Sequence, residues 1–356
     1  MANTTTGMSD DYSIHDEYQR SVAAAARIPV ESAARRAAVA SSGTFVIVNY
    51  GCATNPHGAM LHSAIAAVRM VDSAREIVVV HNDLPTNNWN ALCLAAIDKT
   101  SGYTTGWEAA PLTMLSASSF FGPVVPRASV QLGLSFSAAH WLRSQPEMQA
   151  GSWCFCDAQE PARSLLAAQA AADWEQFLKA RAHELAPGAM LIVETIGTAA
   201  IDDNNCVTAR ELLQFMRTIA QDLVTEGNLD SAVFDRFVFP TYARTAAEAA
   251  VPFASGRVLA SCFDVESVEV FPVPNPYLEL MRRGDIAQYA ESYVAFVKAF
   301  TAHTLSLHLF DPGARGCAGS DLLDEFYRRM RDRIAADPSQ AIFRDWTLRV
   351  VLHRCG

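Results

Sequence analysis

Runs of β-branched and aromatic residues predict seven strands along the chain. The clearest runs are Phe45-Val46-Ile47-Val48 and Ile77-Val78-Val79-Val80, and four successive apolar residues are typical of strands that are buried on both faces of a parallel sheet. Including these two, the predicted strands fall at about 44–50, 76–81, 111–116, 131–136, 189–195, 264–272 and 346–353.

Amphipathic segments between these runs predict helices at 57–74, 87–98 and 173–186, the last ending at Pro187-Gly188. Alternation of strands and helices indicates an α/β fold with a parallel sheet covered on both faces. Residues 201–253 and 275–335 are rich in helix and lack a strand signal. We expect these two stretches to fold together as a cap over the carboxyl ends of the strands, where open α/β sheets bind ligands.

Composition excludes several classes of function. The formal net charge of −10 argues against nucleic acid as a partner, because phosphate contacts require clustered Lys and Arg. No apolar run is long enough for a transmembrane helix, and the acidic, polar start lacks the apolar core of a signal peptide. These features predict a cytoplasmic protein without a membrane partner.

The cysteines and histidines show no metal-binding pattern. Eight cysteines are scattered without framework spacing, and the Cys154-Phe155-Cys156 segment has no second pair at finger spacing. The nine histidines form no His-x-x-His or His-Glu-x-x-His motif. We therefore expect free thiols and no metal.

The first two strands frame a candidate nucleotide site. The first strand runs into a turn of small residues at 49–56, and the second ends near Asp83. Such a turn lets backbone amides and a helix N-terminus approach a ligand, and an acid at the end of the second strand accepts hydrogen bonds from ribose hydroxyls. The Gly-x-Gly-x-x-Gly fingerprint is absent, so a dehydrogenase has little support.

The two segments NYGCATNP (49–56) and NDLPTNNWN (82–90) resemble the SABATH carboxyl methyltransferases, which esterify acids such as salicylic, benzoic, jasmonic or indole-acetic acid with S-adenosylmethionine. The family segments read close to DLGCSSGPN and NDLPxNDFN. Further similarity follows in the same order over 173–190, 225–242 and 291–327, so the resemblance covers nearly the whole chain.

The resemblance implies a Rossmann-like seven-stranded methyltransferase core under an α-helical cap. It implies S-adenosylmethionine as cofactor, S-adenosylhomocysteine as its product, a small carboxylic acid as substrate and a homodimer with separate active sites. The implied division is a core with an N-terminal active-site segment at 1–200, a helical cap at 201–253, a core strand at 254–274, cap helices at 275–310 and a last core helix and strand at 311–356.

The family match also assigns cofactor-binding residues. Gly51 would allow close backbone approach, Asp83 would accept from the ribose, and Leu84 would lie beside the adenine together with Ser119 and Phe120. The remaining residues that the resemblance places around the cofactor are Tyr12, Asp16, Gln19, Asn49, Asn55 and Ser135.

Two positions in the cofactor turn depart from the family. Asn49 replaces an acid that helps to hold the methionine end of the cofactor, and Asp16 is a candidate to compensate for the lost charge. Asn55 replaces a glycine, and because Asn tolerates a left-handed backbone we expect the turn to persist.

Methylating a carboxylic acid requires little proton chemistry, because a carboxyl group with a pKa of about 4 is already ionised at neutral pH. Neutral donors can fix the nucleophile without overstabilising its charge. By resemblance, these donors are the amide of Gln19 and the indole of Trp141, the two candidate catalytic residues, and His140 lines the pocket.

The acceptor stays open at the level of sequence. Ser137 stands where the family often has Tyr, and Leu212-Leu213 stand where Ile-Trp is common. The loss of aromatic rings enlarges the expected pocket, so an aromatic, isoprenoid or dicarboxylic acid stays open as the substrate. Two alternatives also remain: an N-methyltransferase of the same fold, and a non-catalytic protein that binds S-adenosylmethionine.

Overall fold

A seven-stranded sheet forms the centre of the protein, and each predicted strand coincides with an observed one. The structure is a computed structural model that describes residues 25–55, 57–144, 152–200, 207–316, 318–342 and 344–356. The strands are Phe45–Tyr50 (β1), Ile77–Asp83 (β2), Leu112–Ala117 (β3), Val130–Phe136 (β4), Leu185–Ile196 (β5), Phe263–Val273 (β6) and Asp345–Arg354 (β7).

The order of the strands in the sheet is β3-β2-β1-β4-β5-β7-β6. β1 to β5 pair in parallel, and β7 is antiparallel to both β5 and β6. The chain reverses its direction of travel across the sheet between β1 and β4. The carboxyl ends of β2, β1 and β4 therefore meet at a topological switch point, which is where open α/β sheets bind ligands.

Helices cover both faces of this sheet. Arg27–Val39 and Gly58–Val71 pack through alanine and other apolar side chains on one face, whereas Ala162–Glu184 and Ala246–Ala250 pack on the other. The helices are Arg27–Val39 (α1), Gly58–Val71 (α2), Trp89–Ala96 (α3), Ala162–Glu184 (α4), Arg210–Thr225 (α5), Ser231–Arg236 (α6), Ala246–Ala250 (α7), Leu278–Arg282 (α8), Ile286–Leu305 (α9), Asp311–Gly313 (α10) and Gly319–Ala336 (α11). Shorter helical turns lie at Val251–Phe253, Val258–Ser261, Ser306–Phe310 and Pro338–Ala341.

The helix predicted at 173–186 is part of a longer helix that also includes the Ala-rich stretch 162–172, and its carboxyl end lies earlier than predicted. The observed helix, α4, begins eleven residues earlier and stops before Leu185, and Pro187 and Gly188 lie inside β5. The chain turns extended at Leu185, which pairs with Val130, and the register with β4 then shifts. Proline and glycine are tolerated at such an irregularity because no ladder hydrogen bond is needed there.

The two helix-rich stretches of the sequence pack against each other. α5, α9 and α11 share one large hydrophobic cluster, and Arg329 of α11 forms an ion pair with Glu226 after α5. On the sheet side, Ala53 in the turn after β1 packs against Ala299 and Phe300 of α9. This helical layer thus contacts the carboxyl edge of the sheet. Among the described residues, no helix combines the length and apolar character of a membrane span.

A buried ion pair joins α4 to the sheet. Arg181 Nε donates to Glu184 Oε2 at 2.7 Å, and both side chains are completely buried. The hydroxyl of Tyr50, at the end of β1, donates to the same carboxylate oxygen at 2.9 Å. The guanidinium lies 3.9 Å from the centroid of the Tyr50 ring. Each charge is therefore compensated within a few ångströms.

The same pair fixes the segment that follows β3. Arg181 donates to the carbonyls of Phe120 and Gly122 at 2.9 and 3.0 Å. The amide of Val124 donates to Glu184 Oε1 at 2.5 Å. This irregular segment is held by charge-assisted hydrogen bonds, which are stronger than those between neutral groups.

We predict that Arg181→Leu strongly destabilises the protein, because it leaves the Glu184 carboxylate buried without its cation. The free energy of unfolding, measured by urea denaturation, should fall by about 3–5 kcal/mol. The matched control is Arg36→Ala, which removes an exposed ion pair with Glu266 and should cost about 0–1 kcal/mol. Equal losses in the two variants would contradict a structural role for the buried pair.

Candidate active site

The turn after β1 brings four parts of the chain together. Gly51 has a φ of 69°, and the amides of Gly51 and Cys52 donate to the Asn82 carbonyl at 2.8 and 3.1 Å. A Cβ on Gly51 would lie 2.4 Å from the Ala138 Cβ and 3.2 Å from a ring carbon of Phe120. A side chain at position 51 would clash with both groups, so this turn requires glycine.

The expected left-handed backbone at Asn55 is not observed. The left-handed non-glycine residues of this turn are Ala53 and His57, with φ of 47° and 50°. Asn55 instead accepts a hydrogen bond from the His57 amide on its Oδ1 at 2.7 Å. The side chain of Asn55 therefore shapes the entry into α2 as an Asx turn.

The carboxylate of Asp83 lies at the end of β2, next to this turn. Its Oδ2 accepts from the Ala53 amide and its Oδ1 from the Leu84 amide, both at 2.7 Å. Burial raises the pKa of Asp83, and the two backbone hydrogen bonds oppose that shift. Each oxygen keeps a further lone pair, so the carboxylate can accept from two hydroxyls of a ligand.

Several buried polar atoms around the switch point have no hydrogen-bond partner within the described part of the chain. They are Asn49 Oδ1, Thr54 Oγ1, Asn82 Oδ1 and Ser135 Oγ. Leaving such an atom unpaired costs about 1–3 kcal/mol. Together with the carboxylate of Asp83, these atoms could form hydrogen bonds with a polar ligand such as a nucleoside carrying an amino-acid group.

The segment after β3 contributes an aromatic ring to the surroundings of the turn after β1. The ring of Phe120 packs edge-on against Phe177, with centroids 5.6 Å apart, and it faces the Cα of Gly51. Leu84 is half-buried, whereas Ser119 is exposed. The structure therefore places the predicted adenine-side residues at the same edge as Asp83.

The segment after β4 forms the other side of the site. Ser137 takes a left-handed backbone with φ of 51°, and its amide donates to the Glu194 carbonyl at 2.8 Å. His140 is buried, with Nδ1 2.9 Å from Thr195 Oγ1. Burial, assisted by the charge of Arg244, lowers the pKa of His140 to about 3, so its ring is neutral at physiological pH.

The indole of Trp141 is half-buried and packs against the large hydrophobic cluster of helices. Its ring centroid lies 5.6 Å from those of His140 and Phe239, and its backbone pairs with Thr241. None of the described residues accepts a hydrogen bond from its indole N–H. The ring is thus held by packing and keeps a neutral donor available.

The remaining predicted residues lie either in the helical cluster or outside the described part of the chain. Leu212 and Leu213 lie on α5 with buried side chains in the helical cluster, which also packs against Trp141. Tyr12, Asp16 and Gln19 lie outside the described residues. Within the ranges that the structure describes, no three His, Cys, Asp or Glu side chains are grouped to hold a metal ion.

The sequence pattern indicates no functional role for His81, Asn82 or the Arg181–Glu184 pair. A signal existed for the first two, since His81 and Asn82 are polar residues that continue an otherwise apolar strand directly before Asp83. The ion pair carries no such signal, because charges three residues apart on a helix are usually exposed.

The sequence matches the family described as SAM-dependent carboxyl methyltransferase over residues 3–355. The chain belongs to this family. The methyltransferase is 30% identical over 312 residues to the O-methyltransferase acrG of Aspergillus aculeatus, which covers 82% of this chain and 80% of that protein. It is 24% identical over 324 residues to a probable caffeine synthase of Camellia sinensis, covering 85% and 83% of the two chains.

The fold agrees with this assignment. A solved structure of loganic acid methyltransferase with S-adenosylhomocysteine is similar over 99% of both chains, with a TM-score of 0.77 at 20% identity. The predicted Rossmann-like α/β fold is therefore confirmed. The protein is an enzyme that uses S-adenosylmethionine to methylate an acceptor.

We predict that Gly51→Ala severely weakens binding of S-adenosylhomocysteine, measured by calorimetry, because the new methyl group displaces the Ala138 segment. The matched control is Gly106→Ala. Gly106 also has a left-handed φ, of 84°, but nothing lies within 4 Å of its missing Cβ. The control should lose only about 1–2 kcal/mol of stability and keep its affinity. Equal affinities in the two variants would contradict a tight cofactor turn.

Proposed function

We propose that the methyltransferase converts a small carboxylic acid to its methyl ester by direct in-line transfer to a carboxylate oxygen. The observation that carries this proposal is the indole N–H of Trp141, which donates to none of the described residues and lies beside a neutral His140. S-adenosylmethionine supplies the methyl group, activated by its sulfonium. The residues described below bind and orient the reactants.

No general base is needed for such a reaction. A carboxyl group is ionised at neutral pH without help. His140, whose pKa is lowered to about 3, is a weak base and cannot usefully accept a proton. The site therefore suits an acceptor that arrives as an anion.

Orientation is the main task that remains. The reacting oxygen must be held in line with the methyl group at about 3–3.5 Å. The transfer joins an anion to a cation, so charge decreases toward the transition state, and a strong cationic clamp would stabilise the ground state instead. We infer that the Trp141 N–H and, by family resemblance, the Gln19 amide supply neutral anchors for the carboxylate.

We infer that the switch point holds the cofactor. Asp83 would accept from the ribose hydroxyls, Gly51 would permit close approach, and Phe120 would face the adenine. The unpartnered oxygens of Asn49 and Ser135 support a polar ligand here. The other residues that we propose to line this site are Tyr12, Asp16, Gln19, Asn55, Leu84 and Ser119.

We propose that 201–253 and 275–310 act as the cap over the substrate, on the basis of the contact between α9 and the turn after β1. The aliphatic side chains of Leu212 and Leu213 and the small Ser137 would leave room for an aromatic, isoprenoid or dicarboxylic acid. The boundaries proposed for the remaining core segments are 1–200, 254–274 and 311–356. Two helices depart from this division: α7 packs on the sheet, and α11 packs with α5 and α9 in the helical cluster.

A nitrogen acceptor is the second candidate. The similarity to a protein named as a probable caffeine synthase favours it, since caffeine carries its methyl groups on nitrogen. A ring N–H, however, must lose a proton on methylation, and the buried neutral His140 is poorly suited to accept it. This difference supports the carboxylate. A cofactor-binding protein without turnover is the remaining alternative.

We also propose a cytoplasmic homodimer with separate active sites. The edge strand β3 exposes Leu112 and Met114 on one face, by 50% each, and Leu115 on the other, by 44%. Exposed apolar side chains on an edge strand are of the kind that a second copy would cover. Light scattering distinguishes the dimer from the 38.7 kDa monomer.

An acid panel tests the proposed reaction directly. We expect methyl transfer from labelled S-adenosylmethionine to at least one aromatic, isoprenoid or dicarboxylic acid, yielding an ester that alkali hydrolyses. Transfer only to alkali-stable N-methyl products would establish the nitrogen acceptor. Cofactor binding by calorimetry without transfer to any acid or purine would favour the non-catalytic alternative.

We predict that Trp141→Phe lowers turnover by about 100-fold without changing affinity for S-adenosylhomocysteine, since misplacing the nucleophile by about 1 Å has this effect. The control is Trp153→Phe, which also deletes an unpartnered indole N–H but within the helical cluster. The control should keep its turnover. Full activity of Trp141→Phe would reduce Trp141 to a packing residue.

A further inference from the structure

A buried histidine lies directly beside the cofactor turn. His81 on β2 is completely buried and is the register partner of Asn49 on β1. Its Nδ1 lies 3.3 Å from Asn49 Nδ2, and its Nε2 lies 3.0 Å from the Tyr103 hydroxyl. That hydroxyl is 2.7 Å from Thr113 Oγ1 on β3. The four side chains form one chain of hydrogen bonds across three strands.

The direction of these hydrogen bonds follows from the donor groups. A carboxamide nitrogen can only donate, so His81 Nδ1 must accept from Asn49. The ring proton of the neutral imidazole is then on Nε2, which donates to Tyr103. Burial, with a smaller contribution from His57, lowers the pKa of His81 to about 3, so the ring stays neutral.

This arrangement determines which end of the Asn49 side chain is available. Its nitrogen is engaged by His81, whereas its Oδ1 is buried and has no partner among the described residues. Asn49 lies two residues before Gly51, near the carboxyl end of β1, and Asp83 is the last residue of the neighbouring strand β2. An acceptor oxygen without a partner therefore stands at the switch point.

We propose that His81 is a positioning residue for the cofactor: it holds the Asn49 carboxamide by its nitrogen and so presents Oδ1 to the ammonium group at the methionine end of S-adenosylmethionine. This inference rests on the proposed placement of the cofactor at the switch point.

The chemistry explains why an asparagine at this position needs such a partner. A carboxylate offers two equivalent acceptor oxygens and works in either orientation. A carboxamide offers one acceptor and one donor, and the donor would repel an ammonium group. His81 removes this ambiguity, so its importance depends on the presence of Asn49.

The test compares two ligands by calorimetry on the whole chain. S-adenosylhomocysteine carries the ammonium group, and 5′-methylthioadenosine has the same nucleoside without it. His81→Leu should weaken S-adenosylhomocysteine by about ten-fold, the equivalent of one neutral hydrogen bond, and leave 5′-methylthioadenosine unchanged. Equal weakening of both ligands, or of neither, would overturn the proposal.

Two further variants separate positioning from packing. His81→Asn places an acceptor near the position of Nδ1 and should retain most of the affinity. Leu134→Val shortens the side chain of the residue that pairs with Asn49 on β4. It should leave the affinities for S-adenosylhomocysteine and 5′-methylthioadenosine unchanged, despite some loss of stability. If His81→Leu does not fold, Tyr103→Phe, which frees the ring, should weaken S-adenosylhomocysteine alone; an unchanged affinity there would contradict the proposal.

A double-mutant cycle tests the dependence on Asn49. In an Asn49→Asp background, His81→Leu should change the affinity for S-adenosylhomocysteine much less, because the carboxylate needs no orienting partner. An equal loss in both backgrounds would refute the positioning role.

Asp83→Asn checks the placement independently and should weaken both ligands. If it weakens neither, the placement itself is wrong. If it weakens both while His81→Leu does not discriminate between them, only the role of His81 is wrong.

Discussion

The buried pair of Arg181 and Glu184 is the interaction on which the rest of the site depends. Glu184 accepts from Tyr50, the last residue before Gly51, so the carboxylate anchors the end of β1. Arg181 anchors the segment after β3 through the carbonyl of Phe120. Because a buried ion is stable only with its counter-ion and full hydrogen bonding, neither contact persists without the other. The ion pair between Arg181 and Glu184 thus holds both Tyr50 and Phe120 in place next to the turn after β1.

This constraint explains why the turn is so intolerant of side chains. With Tyr50 and Phe120 both fixed, the ring of Phe120 and the methyl group of Ala138 close over Gly51 from two sides. In the proposed site, the backbone of the turn and the carboxylate of Asp83 would then contact the cofactor. The unpartnered oxygens nearby reduce the stability of the protein alone, and a bound polar ligand would offset that cost.

The sheet was predictable from sequence because β-branched runs are a local signal, and all seven strands appear where expected. The end of α4 was not predictable. In the sequence, Pro187-Gly188 is typical of a helix end, whereas in the structure the two residues lie at an irregular point of β5. Only the pairing of β5 with β4 distinguishes these two cases. The strand–turn–strand pattern also predicts that the turn with Gly51 and the acid Asp83 lie together, and the Ala53 amide of that turn donates to Asp83. The tautomer of His81 and the burial of Arg181 depend on contacts across strands, which no local pattern reports.

The charges around the site agree with the chemistry of methyl transfer. His81 and His140 are kept neutral by burial, with pKa values lowered to about 3, and Asn49 offers a dipole instead of a charge. In the proposed reaction, an anionic acceptor joins a cationic methyl donor and charge decreases as the transfer proceeds, so strong fixed charges would favour the separated reactants. Neutral, well-oriented groups hold the geometry without that penalty.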